Sequence, residues 1–267
     1  NKPVPPPFKP LEKIITLIEE KYDVNLKRKG YKIRIDSDVP PACGLGTSAA
    51  CSVAFTTVLL EALGVSYNKM EINTIAFEAE KISHGKPSGI DNTIATYGGI
   101  ILYKRDPKDM QTKIEQLNSP PDLNLILVDS GVPRSTKRLV MWVAELLKRH
   151  EDVLSILRIV GNLTEKAWME LKKRENMNIK YLGELMNINH GLLSAIGVSS
   201  LDLEKIVYLL RKYGAYGSKL TGAGVGGFVI GIIDETLKKA IEEKLIKSGY
   251  RFFISSISKS GVRVLKK

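Results

Sequence analysis

Residues 44–49 read GLGTSA and lead into a small and apolar run, ACSVAFTTVLLEAL. A flexible glycine loop ahead of a helix N-terminus presents unpaired N–H groups and the positive end of the helix dipole, which together suit a phosphate. The same residues fit a plain glycine turn with Thr47 or Ser48 as an ordinary N-cap. GLGTSA also matches the dinucleotide fingerprint G-x-G-x-x-G/A in form. The proline pair Pro40-Pro41 is a poor end to a buried parallel strand, however, and no second strand ending in an acidic residue follows at the required distance. No lysine precedes Thr47 or Ser48, so the loop is not a Walker loop either.

A second glycine loop, SKLTGAGVGGFVIGI, carries Gly222, Gly224, Gly226 and Gly227 ahead of an apolar, strand-like run. Dense glycine lets a backbone approach a ligand closely, at an entropic cost that an ordinary hairpin turn does not require; a wide bulged turn is the plainer reading. Between the two loops lies EAEKISHGKPSGIDN. Here Glu80 falls near the end of a helical pattern, and Asp91 follows a Pro-Ser-Gly turn that can open the next helix. Two carboxylates so placed can chelate Mg²⁺ and accept a proton. They also fit a surface charge and an N-cap. His84 stands alone and reads as a packed or hydrogen-bonded side chain.

These residues need elements to hold them. FKPLEKIITLIEEKY places Leu11, Ile14, Ile15 and Ile18 at helical spacing, with Asp23 and Asn25 as breakers. GYKIRIDSDV alternates Ile33 and Ile35 with polar neighbours and predicts a half-buried strand ended by the proline pair. A buried helix is expected over Thr47–Leu63 with Gly64 as its stop. MEINTIAFEAEKIS predicts a further helix and GGIILYK a strand. DLNLILVDSG reads as a central strand, and the polar turn NSPPD before it is taken as the domain boundary, giving domains over 1–121 and 122–267. Helices are expected from Thr136 to about Leu193 and over LDLEKIVYLLRKYG. GFVIGII, YRFFISSIS and VRVLKK read as strands around a helix. Strands and helices mix without a steady βαβ rhythm, which favours α+β over a doubly wound parallel sheet.

The totals agree with an ordinary globular protein: 267 residues, 43% hydrophobic and 26% charged. No unbroken apolar stretch of about 20 residues suggests a membrane span. Cys43 and Cys51 are too few and wrongly spaced for a disulfide framework or a zinc site, and fit a reducing, cytoplasmic setting. The first residues show neither an apolar signal core nor an arginine-rich amphipathic pattern, so no targeting segment is expected. The net charge of +11 is compatible with nucleic acid, an anionic membrane or anionic small substrates. Its lysines are spread through mixed-charge segments such as LEKIITLIEEKY and ETLKKAIEEKLIK, which read as solvated helix faces. With no aromatic-and-basic RNA-binding signature present, neither nucleic acid nor membrane is an expected partner.

Taken in order, PPACGLGTSAA, HGKPSGIDN and KLTGAGVGGF closely resemble the motifs of the GHMP kinases, the family of galactokinase, homoserine kinase, mevalonate kinase and phosphomevalonate kinase. HGKPSGIDN, VDSGVPRSTKRLV and the SKLTGAG context are most similar to the mevalonate kinase branch, and the length is similar to its archaeal members. The resemblance covers essentially the whole chain. It implies an α+β, two-domain fold: an N-terminal domain like ribosomal protein S5 domain 2, and a ferredoxin-like C-terminal domain. The implied activity is ATP-dependent phosphorylation of the C5 hydroxyl of mevalonate, with Mg²⁺, in a cytoplasmic homodimer. On that basis Pro41, Gly44, Leu45, Gly46, Thr47, Ser48 and Ala49 would surround the ATP phosphates, and Gly222, Ala223, Gly224, Gly226 and Gly227 would close over the nucleotide. Ser48 and Glu80 match the Mg²⁺ ligands and Asp91 the catalytic aspartate. His84, Ser88, Gly89, Thr136 and Gly224 would contact the substrate. The family's first motif, of the P-G-K/R-hydrophobic-G-E-H type, has no counterpart here, which leads us to expect a natural protein longer by about 40–50 residues. Another GHMP kinase, such as one acting on phosphomevalonate, and a non-catalytic nucleotide- or RNA-binding regulator on the same scaffold remain alternatives.

Overall fold

The computed structural model describes residues 5, 8–26, 30–39, 45–84, 87–105, 112–117, 119–133 and 136–265. Two compact units divide the chain, the first formed by residues 1–118 and 258–267, the second by residues 119–257.

In the first unit, helix α1 (Lys9–Tyr22) carries Pro10 in its first turn and ends where Asp23 takes a left-handed conformation, φ 50°. Ile14 and Ile18, one helical turn apart, are fully buried and pack with Val53, Leu59 and Leu60 of α2 (Thr47–Leu63) and Ile72, Ile75 and Ala76 of α3 (Lys69–His84). Helix α2 stops at Gly64, which adopts φ 68° and returns its N–H to Glu61 O. Helix α4 (Ile90–Tyr97) leads into strand β1 (Ile100–Arg105), which pairs antiparallel with β2 (Thr112–Leu117). Nothing in the sequence reading anticipated β2.

Two strand expectations fail here. Residues 30–39 belong to no strand, and Tyr31, Ile33 and Ile35 are 39–50% exposed. Alternation marks a face that can be buried, but a strand also requires a neighbouring backbone to take its hydrogen bonds, and no described strand pairs with this segment. The described part of VRVLKK is likewise irregular. The chain at its start is committed to the end of α4 instead: Gly261 N–H donates to Tyr97 O at 3.1 Å and Val262 N–H to Ala95 O at 3.0 Å.

The second unit is built on a four-stranded antiparallel sheet in the order β4-β5-β3-β6, with β3 at Leu125–Asp129, β4 at Gly217–Leu220, β5 at Phe228–Ile232 and β6 at Phe252–Ser255. Helices α5 (Thr136–Arg149), α6 (Asp152–Lys172), α7 (Ile179–Ala195) and α8 (Leu201–Lys212) lie between β3 and β4 in the chain, and α9 (Lys238–Lys247) connects β5 to β6. This is the βαββαβ arrangement of a ferredoxin-like fold, enlarged in its first crossover. Ile126 and Val128 point one way from β3 and are fully buried with Leu203, Ile206 and Leu210 of α8 and Ile241 and Leu245 of α9. Leu125, on the opposite face, packs with the smaller cluster of Leu123, Leu182 and Ile232.

Helix α7 lies directly on the edge strand β4. A Cβ on Gly183 would stand 2.2 Å from Tyr216 O, and one on Gly217 would stand 2.2 Å from Gly183 O. Only paired glycines allow that backbone-to-backbone approach.

Candidate active site

The residues of the first unit are assembled by three helices. Gly46, with φ 70°, is the N-cap of α2 and supplies no side-chain acceptor to the first turn. Thr47 and Ser48 are therefore the first two helical residues, and the N-cap reading of either is corrected. The amino end of α2 is left with the partial positive charge of its first-turn N–H groups.

Ser48 Oγ donates to Glu80 Oε1 at 2.9 Å, joining α2 to the last turns of α3. Glu80 is only 4% exposed while Ser48 is exposed, so a buried carboxylate meets a hydroxyl at the protein surface. The effect of Glu80 extends one turn along α2. Burial pushes the Cys51 thiol above its ordinary range, and the Glu80 charge pushes it further. Asp91 lies beside the loop, where a Cβ built on Gly46 would fall 3.6 Å from Asp91 Cγ, in ordinary contact. The Asp91 side chain thus rests against the loop backbone, and Asp91 itself is exposed. Gly46, Ser48, Glu80 and Asp91 come together around one helix end.

Asp91 is held there by side chains that the sequence reading passed over. Asn92, 2% exposed, donates through Nδ2 to Asn73 Oδ1 on α3 at 2.6 Å. Thr93 Oγ1 donates to Gly89 O at 2.6 Å and accepts from Asn73 Nδ2 at 3.4 Å. Tyr103 of β1 donates its hydroxyl to Ser88 O at 3.0 Å, tying down the turn before α4. Gly89 is the N-cap of α4, with Phe77 beneath it. Asp91 is in the helix and not at its cap. Two polar residues directly after the carboxylate, on a helix that otherwise reads as amphipathic, were the available signal. Pro41 and Gly44 lie outside the described residues, as does the side chain of His84. Leu45 is half-buried and Ala49 is buried.

The remaining candidates belong to the second unit. Thr136 opens α5 and is exposed. Residues 221–227 form an irregular loop between β4 and β5, clamped by two backbone carbonyls. Val225 N–H donates to Val198 O at 2.8 Å, and Gly227 N–H to Val132 O at 3.1 Å. Gly224 has φ 100°, and a Cβ there would stand 2.0 Å from Val198 O. The glycine is required at that position both by conformation and by space. Val225 itself takes the unusual φ of 59°.

No cluster of three or more His, Cys, Asp or Glu side chains with metal-binding spacing occurs among the described residues. Ser48 and Glu80 form a two-oxygen set, which is the kind Mg²⁺ accepts because it fills its remaining positions with phosphate and water oxygens.

Comparison with known proteins places the chain in a family. Residues 10–99 match the family model described as the GHMP kinases N terminal domain, and residues 170–251 the one described as GHMP kinases C terminal. The mevalonate kinase of Aeropyrum pernix is 36% identical over 247 residues, spanning 90% of this chain and 74% of that protein. That of Pyrococcus horikoshii is 37% identical over 244 residues, spanning 89% and 70%. Among solved structures, L. major mevalonate kinase in complex with R-mevalonate superposes with a TM-score of 0.79 at 29% identity, covering 95% of this chain and 78% of that one. A unit of helices with a two-stranded sheet and a ferredoxin-like unit carry the two matches, which define a GHMP-type kinase architecture. The chain belongs to the GHMP kinases, within their mevalonate kinase group.

Proposed function

We propose that this protein transfers the γ-phosphoryl group of ATP to the C5 hydroxyl of mevalonate, giving 5-phosphomevalonate and ADP. The observation that carries the reading is the convergence of Ser48, Glu80 and Asp91 at the amino end of α2, in a chain more than one third identical to archaeal mevalonate kinases.

Each group has a physical task. The amino end of α2 sets N–H groups and a fixed dipole against phosphate charge, and it needs no reorganisation as charge moves during transfer. Ser48 and Glu80 supply hard oxygens that fit Mg²⁺, which when bound neutralises phosphate charge. The hydrogen bond between them orients both oxygens. The exposed Asp91 carboxylate accepts the hydroxyl proton of mevalonate as the oxygen attacks, a contribution typically worth about 10²–10⁴ in rate. Pro41, Gly44, Leu45, Thr47 and Ala49 line the phosphates in this reading, as do Gly222, Ala223, Gly226 and Gly227. His84, Ser88, Gly89, Thr136 and Gly224 contact the acceptor. The first unit, residues 1–118 with 258–267, then acts as the nucleotide-binding domain, and residues 119–257 form the C-terminal domain. A cytoplasmic homodimer is part of the same proposal, and no described helix is long and apolar enough to cross a membrane.

A panel of acceptors with Mg-ATP tests the substrate. Mevalonate is expected to support ADP release at least a hundredfold faster than phosphomevalonate, homoserine or galactose; a faster rate with any of the other three would reassign the enzyme within its family.

A further inference from the structure

Strand β4 is an edge strand of its sheet, and its outward backbone groups are not left to solvent. Ser218 N–H donates to Asn187 Oδ1 at 3.1 Å, and Leu220 N–H donates to His190 Nδ1 at 3.2 Å. Ser218 O accepts from Arg211 Nη2 at 2.8 Å, and Leu220 O from Lys219 Nζ at 2.8 Å. Asn187 and His190, one turn apart on α7, thus take the place of a neighbouring strand. The second of these bonds falls on Leu220, the last residue of β4 before the glycine loop.

That bond fixes the state of the imidazole. A backbone N–H can only donate, so Nδ1 must be the unprotonated nitrogen and Nε2 must carry the hydrogen. Nε2 faces Glu204 Oε1 of α8 at 3.1 Å, and the same oxygen accepts from Ser194 Oγ at 2.9 Å. His190 is 2% exposed. The groups facing it are Glu204 and Arg211 from α8 and Lys219 from β4. A proton on Nδ1 would place a second donor against the Leu220 N–H and break the bond.

We infer that His190 is a positioning residue, which sets the entry of the glycine loop 221–227 by accepting the Leu220 N–H in its neutral, Nε2-protonated form. The far side of the loop is already fixed by the Val198 and Val132 carbonyls, so the His190 bond completes a three-point hold on it. Its consequence for turnover rests on the kinase reading; its consequence for the loop does not.

Two near-isosteric variants separate the bonds of the ring. In His190→Asn the amide oxygen occupies the place of Nδ1 and still accepts from Leu220, while the reach to Glu204 is lost. In His190→Gln the amide reaches the place of Nε2 and keeps Glu204, while the acceptor for Leu220 is lost. Hydrogen–deuterium exchange of the full chain, read at residues 220–227 and referred to β3 as an internal measure of global stability, is expected to speed up at least tenfold in His190→Gln and less than threefold in His190→Asn. Equal protection in both variants, or a loss in His190→Asn as large as in His190→Gln, would overturn the inference. With Mg-ATP and mevalonate, kcat should fall at least tenfold in His190→Gln with KM for mevalonate changed less than threefold, and His190→Asn should restore it. Altered exchange with undiminished kcat would remove the role in turnover. A parent protein without turnover would instead contradict the kinase reading, and the exchange result would still decide the loop.

Discussion

Replacing Gly224 with alanine tests whether the glycine loop is shaped by its neighbours or merely flexible. The new methyl would sit 2.0 Å from Val198 O and 3.0 Å from Val198 C, both backbone atoms, so no side chain can swing away to relieve the overlap. The φ of 100° adds strain of its own for an L-residue, about 1–2 kcal/mol. Overpacking of this kind costs about 1–3 kcal/mol, and separating the two backbones forfeits the Val225–Val198 hydrogen bond, worth about 0.5–1.5 kcal/mol. The sum is roughly 3–6 kcal/mol. At about 2–4 °C per kcal/mol for a domain of this order, Tm should fall by roughly 6–24 °C if the loop stays in place. If it lifts off instead, Tm falls less and kcat collapses. Gly161→Ala is the control: this glycine is on the exposed face of α6 with nothing within 4 Å of the added Cβ, and alanine there should stabilise by about 0.5–1 kcal/mol. Thermal melts and ADP-release kinetics on both variants decide the matter. A Gly224→Ala protein with unchanged Tm and unchanged kcat would refute the clamp.

Other consequences can be checked separately. Glu80→Ala leaves Ser48 Oγ without its acceptor and removes one of two hard oxygens, so the Mg²⁺ concentration for half-maximal rate should rise at least tenfold, read by Mg²⁺ titration at fixed ATP. Asn92→Ala leaves Asn73 Oδ1 on α3 without its donor and should cost about 1–3 kcal/mol by urea denaturation, with kcat reduced because Asp91 loses its anchor. Burial holds the His190 imidazole below its ordinary range, more strongly than the Glu204 hydrogen bond raises it. The unfolded chain therefore binds this proton more tightly. Stability from this group is complete above the unfolded value of about 6.5 and declines as pH falls toward the lower folded value, by at most about 1.4 kcal/mol per pH unit. Chemical denaturation from about pH 7.5 to about pH 5.5 should show that slope in the parent and lose it in His190→Asn.

Much of this arrangement could be read from residue order. Thr47–Leu63 was expected as a helix and is one, because small and apolar residues between Gly46 and Gly64 leave little other choice. β3 was foreseen from a short apolar run ending in turn residues, and it lies inside its sheet. What stayed hidden depends on partners far away in the chain. Asn73 and Asn92 look like any polar helix residues until α3 and α4 are packed. His190 looks like a lone histidine until β4 arrives thirty residues later. The alternation of Tyr31, Ile33 and Ile35 signals a strand but cannot reveal whether another backbone pairs with it.

The most direct test of the central claim is the initial rate of ADP formation from Mg-ATP and mevalonate, measured for the parent and for Asp91→Asn with nucleotide binding followed in parallel. Asp91 is exposed and takes part in no packing core, so the variant should fold and bind ATP like the parent while its kcat falls by about 10²–10⁴. Turnover in Asp91→Asn within threefold of the parent, with mevalonate phosphorylated on C5 in both, would contradict the role given to Asp91; nucleotide binding without mevalonate-dependent ADP release in the parent would contradict the assignment itself.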